Sequence, residues 1–587
     1  MQGPSGAQPV SPPERRLGAG DLAAAAAFMA AAIAIRLLAL HHGPDAPWPH
    51  SMLYEGDAPA WVRWAQALGR GEPFEADLAF RTPGVAFLLH WLGVDNAPFT
   101  AAKTLWCVLS AITAGALYLV VARWFTRPAA VVAAALCTAS FGQIALATSL
   151  NNEAPYALLV VLAVGATLAL AERPRWWLCA ALGAMHGAAM LLRAEHMLLL
   201  AMLVVVGAVL GRRAGWRRSL AAQAAVVLVA VAACAPWSLR SHAAAQRFNA
   251  ALDAPLPYDS MWPEWSPDAA AALEELPAFA RTPHFRAICR RSLEERWPAV
   301  DAARVRAYFD ALGQIPAPVP EWTLVSFKGP LDFALANDPR ADGGFSRAGL
   351  ADGDEAAPAF SFARPAHARL VEHGYAVGLA HIVENPARWL SQCGEKALRF
   401  ADGATTGLGL GNWPFGAAFV REPVDMAVAA RSDAPWWRAG SLALLGLGCI
   451  VAARRAGGTV LLAVLAYRLA VTLAFYGYAR QSAAIGPVLF ALMALGVDWC
   501  IVALRSRGAS EDAARIAALP FGVRPPWAAA LVAFASVVVG VAFLATLRAP
   551  ALRARPTQPS GVITPAPQWA PDAFESNARL MLEPLPR

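Results

Sequence analysis

The chain has 587 residues, of which 57% are hydrophobic and only 16% charged, and it carries 21 Trp. A soluble chain of ordinary composition has about a quarter of its residues charged, so that class is excluded. The formal charge of +7 does not imply a nucleic-acid partner, because many of the basic residues sit at the ends of long apolar runs, where they mark topology and meet anionic lipid.

A bilayer core of roughly 30 Å is crossed by about twenty apolar residues in a helix. About eleven such runs follow one another, at 22–40, 101–121, 129–147, 154–171, 176–192, 197–210, 221–237, 439–453, 459–476, 485–502 and 527–547. When the helices alternate, six breaks fall on one side: those holding Arg15/Arg16, Arg123/Arg127, Arg173/Arg175, Arg212/Arg213/Arg217/Arg218, Arg454/Arg455 and Arg505/Arg507/Arg515/Arg524. Basic residues are retained in the cytoplasm, so this side is expected inside and both the N-terminus and the C-terminus follow, inside and outside respectively. The first run is long and lacks a convincing small-residue cleavage site after it, so it is expected to remain as an anchor. The protein is therefore expected in the inner (cytoplasmic) membrane, multi-pass.

The alternation divides the chain into a cytoplasmic tail (1–21), a membrane module (22–240) with an outer loop at 41–100, and a mixed soluble periplasmic domain (241–436). C-terminal membrane helices (437–547) and a Pro-rich outer tail (548–587) complete it. In the first outer loop, Trp61, Trp64, Ala65 and Leu68 recur at helical spacing, and 85–92 is apolar after Thr82-Pro83-Gly84. Short helices with Trp on one face are expected to lie in the membrane interface, with Thr82 as N-cap and Pro83 in the first turn of the second. Helical stretches are also expected at 268–276 and 301–312, and a turn-rich stretch at 337–344.

Six of the eight cysteines fall in predicted spans, where a thiol is a small apolar side chain. Only Cys289 and Cys393 lie in the large outer segment, where an oxidising compartment would permit, without requiring, a disulfide. No Cys-x-x-Cys or His-x-x-x-His pair points to a structural metal.

The residues equipped for chemistry collect at the outer ends of the helices: Glu55 and Asp57 in the first loop, Glu153, Arg193, Glu195, Arg240 and Arg480. Arginine in short outer connections runs against the positive-inside trend, and several around one pocket suit a phosphate or pyrophosphate headgroup. Each residue also has a plainer use. Asp57 stands where an N-cap would precede Ala58-Pro59, and Arg193 has Glu153 and Glu195 as ion-pair partners. Arg36 is expected to snorkel, and His186 to hydrogen-bond between helices. The pairs Trp176-Trp177 and Trp436-Trp437 read as interface anchors.

Four stretches, in order, resemble the polytopic GT-C glycosyltransferases, a group that includes dolichyl-phosphate-mannose protein mannosyltransferases and bacterial lipid A aminoarabinose transferases. The first is Glu55-Gly56-Asp57 with Trp61, the helix to Gly69, and Arg81-Thr82-Pro83-Gly84. The second is Leu191-Leu192-Arg193-Ala194-Glu195, and the third Ala235-Pro236-Trp237-Ser238-Leu239-Arg240. The fourth is Ile382-Val383-Glu384-Asn385-Pro386-Ala387-Arg388-Trp389-Leu390 with Lys396. Two features depart from the family pattern. Glu55 and Asp57 are not adjacent, so a divalent metal cofactor has no acid pair behind it, and Ser241-His242 stands where Asn-Tyr is commoner.

The resemblance implies a GT-C-like bundle of about eleven helices that transfers a sugar from a polyprenyl-phosphate donor to a glycan, lipid or protein acceptor by inverting displacement. The residues assigned to that reaction are Asp57 as base beside Glu55, Arg193, Arg240, Arg480 and Arg81 around the donor phosphate, and Glu153, Glu195 and Trp237 about the acceptor or pocket; Arg480 and Glu153 lie outside the four matching stretches and are assigned from their place at the outer helix ends. Two other classes compete. A secondary transporter predicts midplane charges and broken helices in two matched halves, whereas Arg468 is the clear mid-span charge here and the halves are unequal. An O-antigen ligase or polymerase would also gather outer arginines around a lipid-linked sugar; the Asp57 loop and Pro-Trp-x-x-Arg favour the GT-C reading, and a ligase-like acceptor stays open as the alternative. A non-catalytic assembly protein is a further rival, since a fold can outlast its activity.

Overall fold

The computed structural model describes residues 16–42, 58–70, 79–93, 100–148, 150–253, 320–344, 346, 348–350, 365–404 and 435–506. The helices in chain order are α1 (Ala19–His42), α2 (Ala58–Arg70), α3 (Gly84–Trp91), α4 (Thr100–Trp124), α5 (Arg127–Ala139), α6 (Phe141–Thr148), α7 (Glu153–Glu172), α8 (Trp176–Leu192), α9 (His196–Gly211) and α10 (Trp216–Asp253). They continue with α11 (Gly329–Asn337), α12 (Pro365–Glu384), α13 (Pro386–Ala404), α14 (Pro435–Ala453), α15 (Gly458–Ala474), α16 (Ala479–Ala483) and α17 (Gly486–Ser506). No strand occurs among the described residues. Helices are the expected solution, because lipid offers no partner to backbone N–H and C=O groups and each segment must satisfy its own.

The chain is a helical polytopic membrane protein. Six helices are long and apolar enough to cross a bilayer, and three shorter apolar ones accompany them at Trp176–Leu192, Trp437–Ala453 and Gly458–Ala474. A helix stands on each expected apolar run except 527–547, which lies outside the described residues. At the centre α4 packs against α1, α5 and α7, while α8 packs along α10 and α14 along α17. Small residues make the α8–α10 contact close: a Cβ on Gly187 would lie 2.5 Å from the Cβ of Ala233. This is the small-residue packing by which membrane helices gain van der Waals contact.

Two expectations change. The run at 129–147 is a helix pair bent by 60° rather than one straight span. The bend frees carbonyls at the end of α5, and Arg36 supplies the donors: Nη2 to Cys137 O at 3.0 Å and Nη1 to Thr138 O at 3.3 Å, with Nε on Ser110 Oγ at 2.8 Å. Arg36 is 0% exposed and does not snorkel. In addition, α10 continues through Pro236 and Arg240 to Asp253, so Pro-Trp-x-x-Arg lies within a helix rather than at its exit.

Polar contacts fix the two ends of the bundle. Arg127 donates to Asp21, Arg123 to Glu172 and Thr126 to Asp498, which ties the starts of α1 and α5 to the ends of α4, α7 and α17. The connection holding Arg123 and Arg127 thus shares one end with the start of α1 and the end of α7. The opposite end carries α2, α3, the 320–328 segment and α16. There the Trp stripe of α2 is buried, with Trp61 at 2% and Trp64 at 1% exposure, so this face is covered by protein instead of lying in the membrane interface. The sequence pattern reported an apolar face without specifying its cover. Trp176 and Trp177 are exposed, as anchors must be.

Candidate active site

The site grows from the junction of the first loop with α8. Pro83 is the N-cap of α3 and supplies no side-chain cap, whereas the Thr82 hydroxyl donates to Leu192 O at 2.9 Å. Thr82 therefore docks the turn on the end of α8 instead of capping its own helix. Asn152 Nδ2 donates to the same carbonyl at 3.0 Å. Gly84 permits the approach, since a Cβ there would meet Leu191 O at 2.7 Å. In this way Arg81-Thr-Pro-Gly84 and Leu191-Leu-Arg-Ala-Glu195 become neighbours.

Arg193, the C-cap residue of α8, lies at the centre of a buried charge cluster. Its Nη1 donates to Glu153 at 2.7 Å and Asn152 Oδ1 at 3.3 Å, its Nε to Glu195 at 2.8 Å, and its Nη2 to Gln481 Oε1 at 3.1 Å. Arg468 reaches in from α15, with Nη1 on Glu195 at 3.0 Å and Nε on Gln481 O at 2.9 Å. Arg480 approaches Glu153 at 3.7 Å. Arg193 is 6% exposed, Glu153 1% and Arg468 0%. Among the described residues three arginines thus face two glutamates. Burial acts to raise the Glu195 carboxyl, but Arg193 and Arg468 outweigh it and hold the group well below the usual range.

A neutral polar chain lies beside this centre. Tyr156 sits under the Arg193 guanidinium, 5.6 Å from ring centroid to Cζ, and its hydroxyl is 3.0 Å from His196 Nδ1. His196 Nε2 is 2.8 Å from His186 Nδ1, which makes His186 a helix-to-helix partner as expected. The Tyr467 hydroxyl of α15 lies 3.5 Å from that of Tyr156. Helices α7, α8, α9 and α15 are thereby joined through side chains alone.

The other proposed donors stand at a second junction. Arg240 lies over Trp237 at 5.7 Å, and Arg81 over Phe80 at 5.4 Å. Trp237 is 3% exposed, donates its indole N–H to Val325 O at 2.8 Å and meets Phe87 edge-on. Its ring joins α10 to α3 and to the 320–328 segment. The same segment returns to the first loop, where Ser326 Oγ donates to Phe80 O at 2.7 Å.

The structure brings Arg193, Arg480, Glu153 and Glu195 together, and places Arg81 and Arg240 on aromatic rings at the adjoining junction. Glu55 and Asp57 lie outside the described residues, as do 268–276, 301–312, Cys289 and the tail from 548. Among the described residues, no group of three or more His, Cys, Asp or Glu could hold a metal ion. Sequence reasoning noted Arg468 only as a mid-span charge and gave it no role. An ionisable residue inside a span is a functional signal in its own right. Asn152, Gln481, His196 and Tyr467 carried no comparable signal.

Residues 83–239 match the family model for dolichyl-phosphate-mannose-protein mannosyltransferase. No curated protein matches the chain. Among solved structures, the Archaeoglobus fulgidus oligosaccharyltransferase tethered to an acceptor peptide is 14% identical, with a TM-score of 0.38, over 97% of this chain and 59% of that one. The apo form of that enzyme gives 14% and 0.39, over 90% of this chain and 56% of that one. The archaeal oligosaccharyltransferase AglB from the same organism, with an inhibitory peptide and a dolichol-phosphate, gives 14% and 0.37 over 90% and 56%. The chain therefore spans less than two thirds of the length of these structures.

Proposed function

We propose that this chain is a membrane glycosyltransferase of the GT-C type, which transfers a sugar from a polyprenyl-phosphate carrier to an acceptor on the outer face of the inner membrane. One observation carries the reading. The segment alike to the mannosyltransferases, 83–239, includes the end of α8 on which Thr82 docks and supplies Glu153, Arg193 and Glu195 to the buried centre. That centre lies at the end of the bundle opposite the connection holding Arg123 and Arg127, which positive-inside places outside.

In the proposed reaction the acceptor oxygen attacks the anomeric carbon, and the bond from that carbon to the phosphate oxygen breaks. The electron pair leaves with the polyprenyl phosphate. Asp57, with Glu55 beside it, takes the acceptor proton. Positive charge near the leaving phosphate lowers the barrier by about 3–4 kcal/mol for each well-placed donor, by analogy with oxyanion stabilisation. Arg193 is almost wholly buried, with each guanidinium nitrogen already donating, so it orients Glu153 rather than gripping phosphate directly. Arg480, one-fifth exposed, and the half-buried Arg81 and Arg240 are the residues assigned to direct contact.

The test is release of polyprenyl phosphate by the purified full-length protein from polyprenyl-phosphate hexose or pentose donors, with envelope extract as acceptor. Absence of release from all donors would refute the reading. Asp57→Asn keeps a capping oxygen but removes basicity, so transfer should fall about a hundredfold with folding intact. Near-normal transfer would end the assignment of the base. Mass analysis of envelope glycans in a strain lacking the gene would name sugar and acceptor.

A further inference from the structure

Lys396 lies along α13, outside the membrane-spanning helices, and is 0% exposed. Its ammonium donates to Leu473 O at 3.0 Å and to Asn337 Oδ1 at 3.3 Å. Asn337 in turn donates to Ala474 O at 2.9 Å. Leu473 and Ala474 are the last two residues of α15, whose final carbonyls have no partner within their own helix. The two side chains therefore cap α15 together, and a cation there also meets the negative end of the helix dipole.

The chain beyond this cap leads directly into the site. Gly477 donates its N–H to Gly343 O at 2.9 Å and crosses Lys396 so closely that a Cβ at Gly477 would collide with the Lys396 backbone. The short α16 follows. There Arg480 faces Glu153, Gln481 accepts from both Arg193 and Arg468, and the Ser482 hydroxyl donates to Phe400 O of α13 at 2.6 Å. The path from α15 to α16 is thus pinned to α13 on both sides of the turn.

We infer that Lys396 is a positioning residue for the transfer reaction: it fixes the end of α15, and through the turn that follows it holds Arg480 and Gln481 in the charged centre. This rests on the proposed function only in treating that centre as the site of transfer. Among the described residues no carboxylate pairs with Lys396; a lysine buried in this way is expensive to keep, and burial pushes its amine down to about 8. A methionine would fill the same space without that cost but could donate to neither oxygen. The capping contacts supply the reason for retaining lysine.

The experiment uses the full-length protein in detergent. Hydrogen exchange of peptides covering 475–485 should be at least tenfold faster in Lys396→Met than in wild type, with α4 unchanged. Asn337→Ala, which removes the other half of the cap, should accelerate the same peptides and serves if the first variant does not fold. Transfer is then measured in double-mutant cycles. Lys396→Met and Arg480→Gln should be markedly less than additive, because both act through one turn, whereas Lys396→Met and Arg81→Gln should add. Wild-type exchange at 475–485, or additivity with Arg480→Gln, would overturn the inference. If exchange rises while the wild type releases no polyprenyl phosphate, the role of Lys396 in holding the turn stands and the proposed function falls.

Discussion

Replacing Glu195 by Gln removes one negative charge from between two buried arginines while keeping an acceptor oxygen of the same shape. In the wild type a single Glu195 oxygen accepts from Arg193 Nε at 2.8 Å and Arg468 Nη1 at 3.0 Å. Removing one partner of a buried pair costs about 3–5 kcal/mol, because the remaining charge is left uncompensated. Glu195 is 26% exposed and Gln still accepts, so the lower end applies, about 3 kcal/mol at pH 7. The pH dependence has a definite sign. Arg193 and Arg468, acting against burial, hold the Glu195 carboxyl below its usual range. Its contribution is therefore complete above the unfolded value of about 4.3 and declines as pH falls below it, by about 1.4 kcal/mol per unit. The gap between wild type and Glu195→Gln should shrink from about 3 kcal/mol at pH 7 to about 1 kcal/mol at pH 3. Equilibrium unfolding in detergent, followed by Trp fluorescence, measures it. A gap under about 1 kcal/mol at pH 7, or an equal gap at both pH values, would refute the reasoning.

Arg193→Lys should lose about 2–4 kcal/mol and most transfer activity, since one ammonium cannot span Glu153, Glu195 and Gln481 as the planar fork does; thermal unfolding and polyprenyl-phosphate release check this. Gly84→Val should push α3 off the end of α8, because even its Cβ would fall 2.7 Å from Leu191 O. The expected loss is about 1–3 kcal/mol, and crosslinking between cysteines placed at Thr82 and Leu192 should fall with it. Arg36→Met should strip the donors from Cys137 O and Thr138 O and loosen the α5–α6 bend, at about 1–3 kcal/mol for each stranded carbonyl. Cys137, 0% exposed in the wild type, should then react faster with a thiol reagent in the folded protein, and an unchanged rate would count against Arg36 as the brace of the bend.

The helices were legible because the rule behind them is local and strict: a chain in lipid must satisfy its backbone within each segment, so apolar length alone predicts the element. The bend after Ala139 was not, because nothing at Ser140 breaks a helix by itself. The compensating Arg36 lies 101 residues before Cys137 in the sequence, and only tertiary structure brings the two together. The α2 stripe failed for a related reason. A period of 3.6 reveals that a face is apolar, yet lipid and protein are equally good covers for it. In each case the local pattern gave the demand and left the partner unnamed.

The charged centre divides along the same line. Arg193 was conspicuous because arginine in a short connection opposes the sorting of basic residues, and Arg468 because a charge in a span must be met by something. What meets Arg468 is Glu195, 273 residues earlier, together with a main-chain oxygen of Gln481 that no side-chain pattern could announce. Electrostatics supplies the remaining logic. Among the described residues three arginines meet two glutamates, and Arg193 and Arg468 hold Glu195 ionised against its burial. The arginines that meet Glu153, Arg193 and Arg480, are among those proposed near the donor phosphate, so the stability of this centre is tied to the chemistry proposed for it.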